Sequence, residues 1–280
     1  MFTYERLQEL LTQLRRMGVE TGWIGRTELG TPIPYVFVGS HVGKCVLTQA
    51  AIHAREHITS CLAAEQIRYA LTHPPKRGGI YFVPMVNVDG VRLVTEGLNF
   101  LHDDARKKFL LAVNSGRDFS QWKANVNAVD LNVNFDARWG TGKSNVFYAS
   151  AANYVGKAPF SEAETQALRD FTLRVRPAAT LSYHVKGEIV FWKFYQTGKR
   201  LWKDYCLAKG ISEKTGYRLA GEGGSAGGYK DWCIETLGIP AFTVEAGYDG
   251  FGYPYPYSQK KDIVAKNAEI PCWLCQEVNG

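Results

Sequence analysis

Apolar positions along the chain recur with two different periods. Leu7, Leu10, Leu11 and Leu14 follow helical spacing among polar residues, which predicts an amphipathic helix over 4–17. Short apolar runs rich in β-branched residues predict strands. These predicted strands cover 35–38, 45–52, 80–86, 180–183 and 241–244. Mixed stretches predict further helices over 58–72 and 161–175, and near 198–215 and 228–237.

The order of these elements predicts the fold class. Strands that alternate with helices indicate an α/β domain with a mostly parallel sheet. The strands show little polar alternation, as expected when both faces of a sheet are covered. A capping box of Ser161 and Glu164 predicts the start of one helix.

Polar residues follow several of the predicted strands abruptly. Ligands of parallel α/β sheets bind beyond the carboxyl ends of the strands, so these positions are candidates for a site. They are His53, Asn87, His184 and Glu245.

Composition and charge exclude several classes of protein. The chain has 280 residues, 45% of them hydrophobic, with 33 Lys and Arg against 27 Asp and Glu. These values are ordinary for a globular protein of one or two domains. The net charge of +6 is spread without a basic block, so a nucleic-acid partner has little support. No apolar run approaches the ~20 residues of a membrane span, so no membrane partner is expected.

The cysteines and the N-terminus favour a cytoplasmic location. Six cysteines, mostly in apolar surroundings, suit free thiols, and residues 1–7 do not resemble a signal peptide. Cys272 and Cys275 form a CxxC pair without a second pair. We therefore expect packing in a C-terminal helix rather than a redox site or a zinc ribbon.

The segment His53–His57 is a candidate metal motif. His53 and Glu56 are three residues apart after a strand, a spacing that can aim an imidazole and a carboxylate at one point. Both groups bind zinc, and a catalytic zinc needs a third protein ligand. His57 leaves a second interpretation open, the HxxEH pattern with His53 and His57 as ligands and Glu56 as base. Because His53 directly follows a strand, we favour His53 and Glu56 as ligands.

Other polar segments carry compatible chemistry. Asn87–Gly90 suits a tight turn. In 129–135, Asp130 can accept from the ring of a ligand histidine, and the Asn side chains can donate to a substrate. His184 is either a structural histidine or a ligand. Glu245 closes an apolar strand, where a buried carboxylate with a raised pKa suits a general base.

Two glycine-rich segments are weaker signals. Gly140–Ser144 is similar to the end of a phosphate-binding loop, but the position that requires glycine is Ala137 and no clear strand precedes it. Gly221–Gly228 does not match a dinucleotide motif, and a binding loop at a helix start is expected there.

Together these motifs resemble the zinc carboxypeptidase (funnelin) family over roughly residues 20–250. The motifs are HxxE, NxDG, DLNxNF, a strand-end His and a strand-end Glu, in this order. The resemblance implies a single α/β domain over residues 1–280, with a central mixed, mostly parallel sheet flanked by helices. It also implies one zinc ion with Glu245 as general base. The implied ligands are His53, Glu56 and His184.

The resemblance assigns roles to further residues. Asp130 would orient His53, and Asn132 would help to hold the substrate. Lys123 occupies the place of an Arg that polarises the scissile carbonyl in that family, although Lys lacks the planar guanidinium.

Two departures from the family pattern point to a subgroup. Val133 replaces the Arg that grips a terminal carboxylate, and Gly223 stands near the place of a Tyr that closes over the substrate. With these two departures, the chain resembles the bacterial γ-D-glutamyl-meso-diaminopimelate peptidases. The expected partner is then an acidic peptide from the cell-wall stem. Candidates to replace the missing Arg are Arg138, Lys143 and Lys186.

Two other functions remain open at this point. One is an ordinary metallocarboxypeptidase that releases C-terminal residues. The other is a catalytically dead binding protein for wall peptides, which the intact set of ligands and base disfavours.

Overall fold

The computed structural model describes residues 1–221 and 223–280. These residues form one mixed sheet of eight strands in the order β1-β2-β4-β3-β5-β8-β6-β7. The strands are β1 (Glu20–Arg26), β2 (Pro32–Gly39), β3 (Cys45–Ala50), β4 (Gly79–Val83), β5 (Ala179–His184), β6 (Ile189–Phe191), β7 (Arg218–Ala220) and β8 (Ala241–Glu245).

The centre of the sheet is parallel. β4, β3, β5 and β8 run in the same direction, while β1 with β2, β2 with β4, and β6 with β8 pair antiparallel. Every residue of β5 is buried, so both faces of the sheet are covered there. The α/β class with a central mixed sheet is therefore confirmed.

Helices connect and flank the strands. They are α1 (Tyr4–Arg16), α2 (Ile58–Thr72), α3 (Val88–Glu96), α4 (Asp104–Asn114), α5 (Ala163–Val175), α6 (Gly198–Thr215), α7 (Tyr229–Glu235), α8 (Lys260–Asn267) and α9 (Ile270–Asn279). α1 buries Leu7, Leu10, Leu11 and Leu14, the stripe that the pattern predicts. α9 buries both cysteines of the CxxC pair, as expected.

Several predicted element bounds are wrong. β3 and β4 stop at Ala50 and Val83, two and three residues before the ends predicted from the apolar runs. The Ser161 capping box is absent. The Ser161 hydroxyl donates instead to Glu162 Oε1 at 2.7 Å, and Glu162 is the residue that precedes the helix.

Asn87 does more than form a turn. Its side-chain Oδ1 accepts a hydrogen bond from Gly90 N at 3.1 Å and caps α3. Its Nδ2 donates to the carbonyls of Ile52 and Ala124, at 3.2 and 3.0 Å. The buried amide of Asn87 thereby links the segment after β3, at Ile52, to the segment that contains Ala124.

Three of the polar residues that follow predicted strands lie together at the carboxyl edge of the central strands. His184 ends β5, Glu245 ends β8, and the two are direct partners in the parallel register. His53 follows β3 by three residues and precedes a 3-10 turn over Ala54–Glu56. Sheet topology therefore brings segments more than 190 residues apart in sequence to one edge.

Candidate metal and catalytic site

Three buried side chains meet at the carboxyl edge of the sheet. His53 Nδ1 lies 2.9 Å from Glu56 Oε1, and His184 Nδ1 lies 3.0 Å from Glu56 Oε2. The two imidazole Nδ1 atoms are 3.1 Å apart. One donor atom from each residue thus falls within 4.8 Å of the other two.

This arrangement fits a metal ion. Two neutral imidazoles that direct lone pairs toward each other repel, and a cation between these donors and a carboxylate removes that repulsion. Two imidazoles and one carboxylate are a donor set that zinc uses, with a fourth position left open for water in catalytic sites. The residues predicted as ligands are therefore placed together by the fold.

Electrostatics keep Glu56 ionised. Burial raises its pKa, but the attraction of His53 and hydrogen bonds from both imidazoles outweigh burial and hold the pKa well below its usual range. An ionised carboxylate is the form that binds a metal.

Asp130 and Lys123 form a buried layer behind His53. Asp130 Oδ1 lies 3.2 Å from His53 Nε2, and its Oδ2 lies 2.7 Å from the Lys123 ammonium. Although burial opposes ionisation, these two neighbours hold the pKa of Asp130 well below its usual range. The carboxylate fixes the ring so that Nδ1 faces Glu56, as second-layer carboxylates commonly do.

Lys123 lies at the border of the same site. Its side chain is mostly buried and also donates to Asn153 Oδ1 at 3.3 Å. A cleft of about 350 Å³ lies beside the candidate ligands. Lys123 lines it together with Arg55, Lys186 and Tyr253. Its ammonium borders this cleft, but its charge is shared with Asp130.

Glu245 lines the same cleft and has an unusual pKa. Burial and the nearby Glu56 carboxylate raise its pKa to about 7, against the opposing effects of His184 and Lys123. A carboxylate with a pKa near neutral can both take and return a proton.

His57 lies in a different environment. Its Nδ1 is 3.0 Å from the Tyr257 hydroxyl, which accepts a hydrogen bond from Phe2 N. Burial lowers the His57 pKa to about 4. The geometry therefore favours His184 over His57 as the partner of His53 and Glu56.

A second cavity of about 510 Å³ adjoins this cleft. Glu245 and Phe191 line both, so the two spaces adjoin at these side chains. Asn132 also lines the larger cavity, and its Oδ1 accepts a hydrogen bond from Tyr229 N at 3.1 Å. The amide NH₂ of Asn132 is therefore the end that can donate to a ligand.

Glycine-rich loops form one wall of the larger cavity. A Cβ on Gly227 would lie 2.8 Å from the Val133 carbonyl oxygen, and Gly227 has a φ of +81°, so only glycine suits this close approach. Lys143 N donates to the Gly224 carbonyl at 3.1 Å, which joins the segment similar to a phosphate loop to the 221–228 loop. Glu222, within that loop, lies outside the described residues.

The three candidate replacements for the missing Arg have different surroundings. Arg138 pairs with Glu235 at 2.9 Å and stacks 3.4 Å from the ring centre of Tyr195. Lys186 donates to the Asp249 carbonyl at 2.6 Å and also to the carbonyl of Phe251. Lys143 lines the larger cavity. Of the three, the geometry favours Lys143 as the cation that faces a ligand there.

Some residues near the site escape prediction from sequence. Tyr253 and Arg55 stack at 4.0 Å beside the cleft, and Lys193 and Lys230 line the larger cavity. Arg55 lies inside the HxxE motif, which is a usable signal. Lys230 is the second residue after the glycine-rich loop, but the direction of its side chain depends on the path of that loop, which the sequence does not reveal.

Comparisons with known proteins identify the family of this chain. The profile of the family described as zinc carboxypeptidase matches residues 4–270. A curated relative, gamma-D-glutamyl-L-diamino acid endopeptidase 1 of Lysinibacillus sphaericus, is 33% identical over 240 residues, which is 80% of this chain. The chain spans 59% of that relative's length.

Solved structures share the fold. Bovine thrombin-activatable fibrinolysis inhibitor, in complex with tick carboxypeptidase inhibitor, superposes with a TM-score of 0.78 at 20% identity, over 98% of this chain and 95% of its own. Murein-tripeptide amidase from Escherichia coli O157 gives a TM-score of 0.59 at 22% identity, over 91% of each chain. No helix within 1–221 or 223–280 is long and apolar enough to cross a membrane.

Proposed function

The chain belongs to the zinc carboxypeptidase family, and we propose that it is a zinc-dependent peptidase that cleaves the γ-D-glutamyl–meso-diaminopimelate amide bond of peptidoglycan stem peptides. The observation that carries the proposal is the meeting of His53, Glu56 and His184 beside Glu245, at the mouth of a cavity lined by lysines. The donor set suits zinc, and the adjacent carboxylate suits a general base.

The choice of bond rests on two further observations. Val133 offers no positive charge to the terminal carboxylate of an ordinary peptide, and it is 8% exposed. The curated relative that carries the name of a γ-D-glutamyl-L-diamino acid endopeptidase shares 33% of its aligned residues with this chain. An endopeptidase of this type does not depend on a free C-terminus beside the scissile bond.

Each side chain has one task in the proposed reaction. When bound, zinc supplies a Lewis acid that acidifies a water and polarises the scissile carbonyl. Glu245 takes a proton from the attacking water and passes it to the leaving amine. The Lys123 ammonium stabilises negative charge on the carbonyl oxygen, and Asn132 donates to a substrate carboxylate. Asp130 holds the ring of His53 in place.

The direct test uses zinc-loaded protein and a stem tetrapeptide, L-Ala-γ-D-Glu-meso-diaminopimelate-D-Ala, with its C-terminus amidated. Mass spectrometry should find L-Ala-D-Glu and the amidated diaminopimelate dipeptide. An ordinary metallocarboxypeptidase would leave this substrate intact and instead trim unmodified peptides from their free ends. Binding of the peptide without products from either substrate would indicate a binding protein.

Glu245→Gln tests the proposed base. The amide keeps the size of the side chain but cannot accept the proton, so we expect zinc content to be retained and kcat to fall by at least about 100-fold. Zinc by elemental analysis and turnover by product release are measured on the same preparation. Turnover near the wild-type rate would remove Glu245 from the mechanism.

A further inference from the structure

The two histidines of the candidate metal site differ in what lies behind their rings. Each presents Nδ1 to Glu56, so each carries its ring proton on Nε2 when Nδ1 binds a metal. Asp130 Oδ1 lies 3.2 Å from Nε2 of His53. His184 Nε2 is buried and has no hydrogen-bond partner among the described residues. Because the free N–H of a metal-binding histidine almost always donates to an acceptor, His184 needs one from another source.

Two further polar side chains lie on the same face of the sheet as His184. Ser182 precedes His184 by two residues on β5, and Gln49 on β3 is the direct partner of Ser182 in the parallel register. Paired residues on neighbouring strands, and residues two apart on one strand, direct their side chains to the same face. All three residues are at most 1% exposed. The fold therefore places them side by side beneath the carboxyl edge.

This group of side chains is rich in polar atoms without protein partners. The Ser182 hydroxyl oxygen and both polar atoms of the Gln49 amide are buried and form no hydrogen bond within 1–221 and 223–280. A buried polar group without a hydrogen bond is costly and uncommon in folded proteins. Together with His184 Nε2, four such atoms occupy one patch of the sheet.

The spacing of the patch suits a bridge by one water molecule. Neighbouring strands lie about 5 Å apart, and residues two apart along a strand are separated by about 7 Å. At these separations, a bridging water joins polar side chains that do not touch each other. A buried water typically makes about three hydrogen bonds to polar groups that have no other partner.

We propose that Gln49 and Ser182 hold a buried water that accepts the hydrogen bond of His184 Nε2–H, which makes Gln49 a positioning residue for a metal ligand. The water donates its two protons to Gln49 Oε1 and to the Ser182 hydroxyl oxygen. The ring of His184 is then held with Nδ1 toward Glu56. The inference rests on the metal site of the proposed function and is independent of the bond that the enzyme cleaves.

The test measures zinc affinity, which does not depend on turnover. Gln49→Met removes the amide but keeps the length of the side chain. We expect the Kd for zinc to rise roughly 10- to 100-fold, the usual effect of losing a partner of a metal-binding histidine. Competition with a chromophoric chelator measures this Kd on the full chain.

The stability of the zinc-free protein separates positioning from a structural role. Methionine leaves no unpaired polar atom at position 49, so Gln49→Met should be as stable as wild type or more stable in urea denaturation without zinc. A structural role for Gln49 would instead lower this stability and leave the Kd for zinc unchanged. That result would overturn the inference.

Three further variants complete the design. Gln49→Glu keeps an acceptor oxygen at the same position and should not raise the Kd for zinc. Ser182→Ala is a smaller change that should raise the Kd, and it replaces Gln49→Met if that variant does not fold. Thr180→Val removes a buried hydroxyl on the same face of β5, two residues farther from His184 than Ser182, and should leave the Kd unchanged.

The outcomes separate this inference from the proposed function. If Gln49→Met binds zinc as tightly as wild type, or Thr180→Val weakens binding equally, the inference is overturned while the proposed function stands. A high-resolution crystal structure of zinc-loaded wild type gives an independent check. A water between His184 Nε2 and Gln49 supports the inference, and apolar packing around Nε2 overturns it. If wild-type protein binds no zinc, the proposed function fails and the inference fails with it.

Discussion

At the scale of single residues, the site depends on which nitrogen of each imidazole faces inward. His53 presents Nδ1 to Glu56 because Asp130 lies behind Nε2, and Asp130 is itself held by Lys123. A chain of buried charges therefore sets the orientation of one candidate metal ligand. The position of Lys123 has two consequences, since the same ammonium supports Asp130 and borders the cleft that Glu245 lines.

Substitutions of two histidines distinguish the possible ligand sets. His184→Ala removes a donor that lies 3.0 Å from Glu56, so we expect zinc to be lost on dialysis. His57→Ala removes a contact with Tyr257 and should keep one zinc per chain. Elemental analysis of both purified variants gives the stoichiometry.

The opposite pattern, with zinc kept by His184→Ala and lost by His57→Ala, would favour the HxxEH interpretation. Circular dichroism of both variants serves as the control, because an unfolded variant loses zinc for an unrelated reason.

At the scale of elements, β1 shows why parts of the fold escape prediction. It contains Gly22 and Gly25, which weaken a strand pattern in sequence. The structure explains Gly25, since a Cβ there would lie 2.5 Å from the Cβ of Ala167 on α5. The glycine allows the helix to approach the edge of the sheet. A contact between elements 140 residues apart leaves no local signal.

A matched pair of glycine substitutions tests this contact. Gly25→Ala should lower the free energy of unfolding by roughly 1–3 kcal/mol through overpacking. Gly116→Ala, where nothing lies within 4 Å of the added Cβ, should change it by less than about 0.5 kcal/mol. Urea denaturation measures both. Equal effects would show that backbone freedom, rather than the approach of α5, accounts for Gly25.

The elements that carry the candidate site were more predictable than β1. His184 and Glu245 end short apolar strands, and the rule that ligands bind at carboxyl ends is enough to select them. Arg138 was a reasonable candidate by sequence, but the fold turns it toward Glu235 and Tyr195. Strand ends are fixed by the sheet, whereas loop side chains depend on contacts that only the folded chain creates.

At the scale of the whole molecule, a buried acidic group makes stability depend on pH. Glu164 is fully buried, and burial with repulsion from Asp89 and Glu162 raises its pKa to about 8, against hydrogen bonds that lower it. Between its ordinary value of 4.5 and about 8, the folded protein holds a proton that the unfolded chain releases. The free energy of unfolding therefore falls as pH rises through this window.

Glu164→Gln removes this titration. Relative to that variant, wild-type protein should lose stability between pH 5 and 8, with a slope of at most about 1.4 kcal/mol per pH unit. Urea denaturation at several pH values measures the difference, and the exposed Glu9→Gln substitution is the control. A constant difference between wild type and Glu164→Gln would show that Glu164 does not change its protonation in this range.

His184 and Glu245 are paired across β5 and β8. Because of this pairing, changes in loop length and changes in strand register have different effects on the site. The distance between the candidate metal ligand His184 and the proposed base Glu245 is set by hydrogen bonds of the sheet, although 60 residues lie between them in sequence. Insertions and deletions in that interval can reshape the cavity without moving the reacting groups. A slip of one residue in the strand pairing would instead turn one of the two to the opposite face and abolish the site in a single step. Changes in loop length can therefore alter the cavity gradually, whereas a change of strand register removes the site at once.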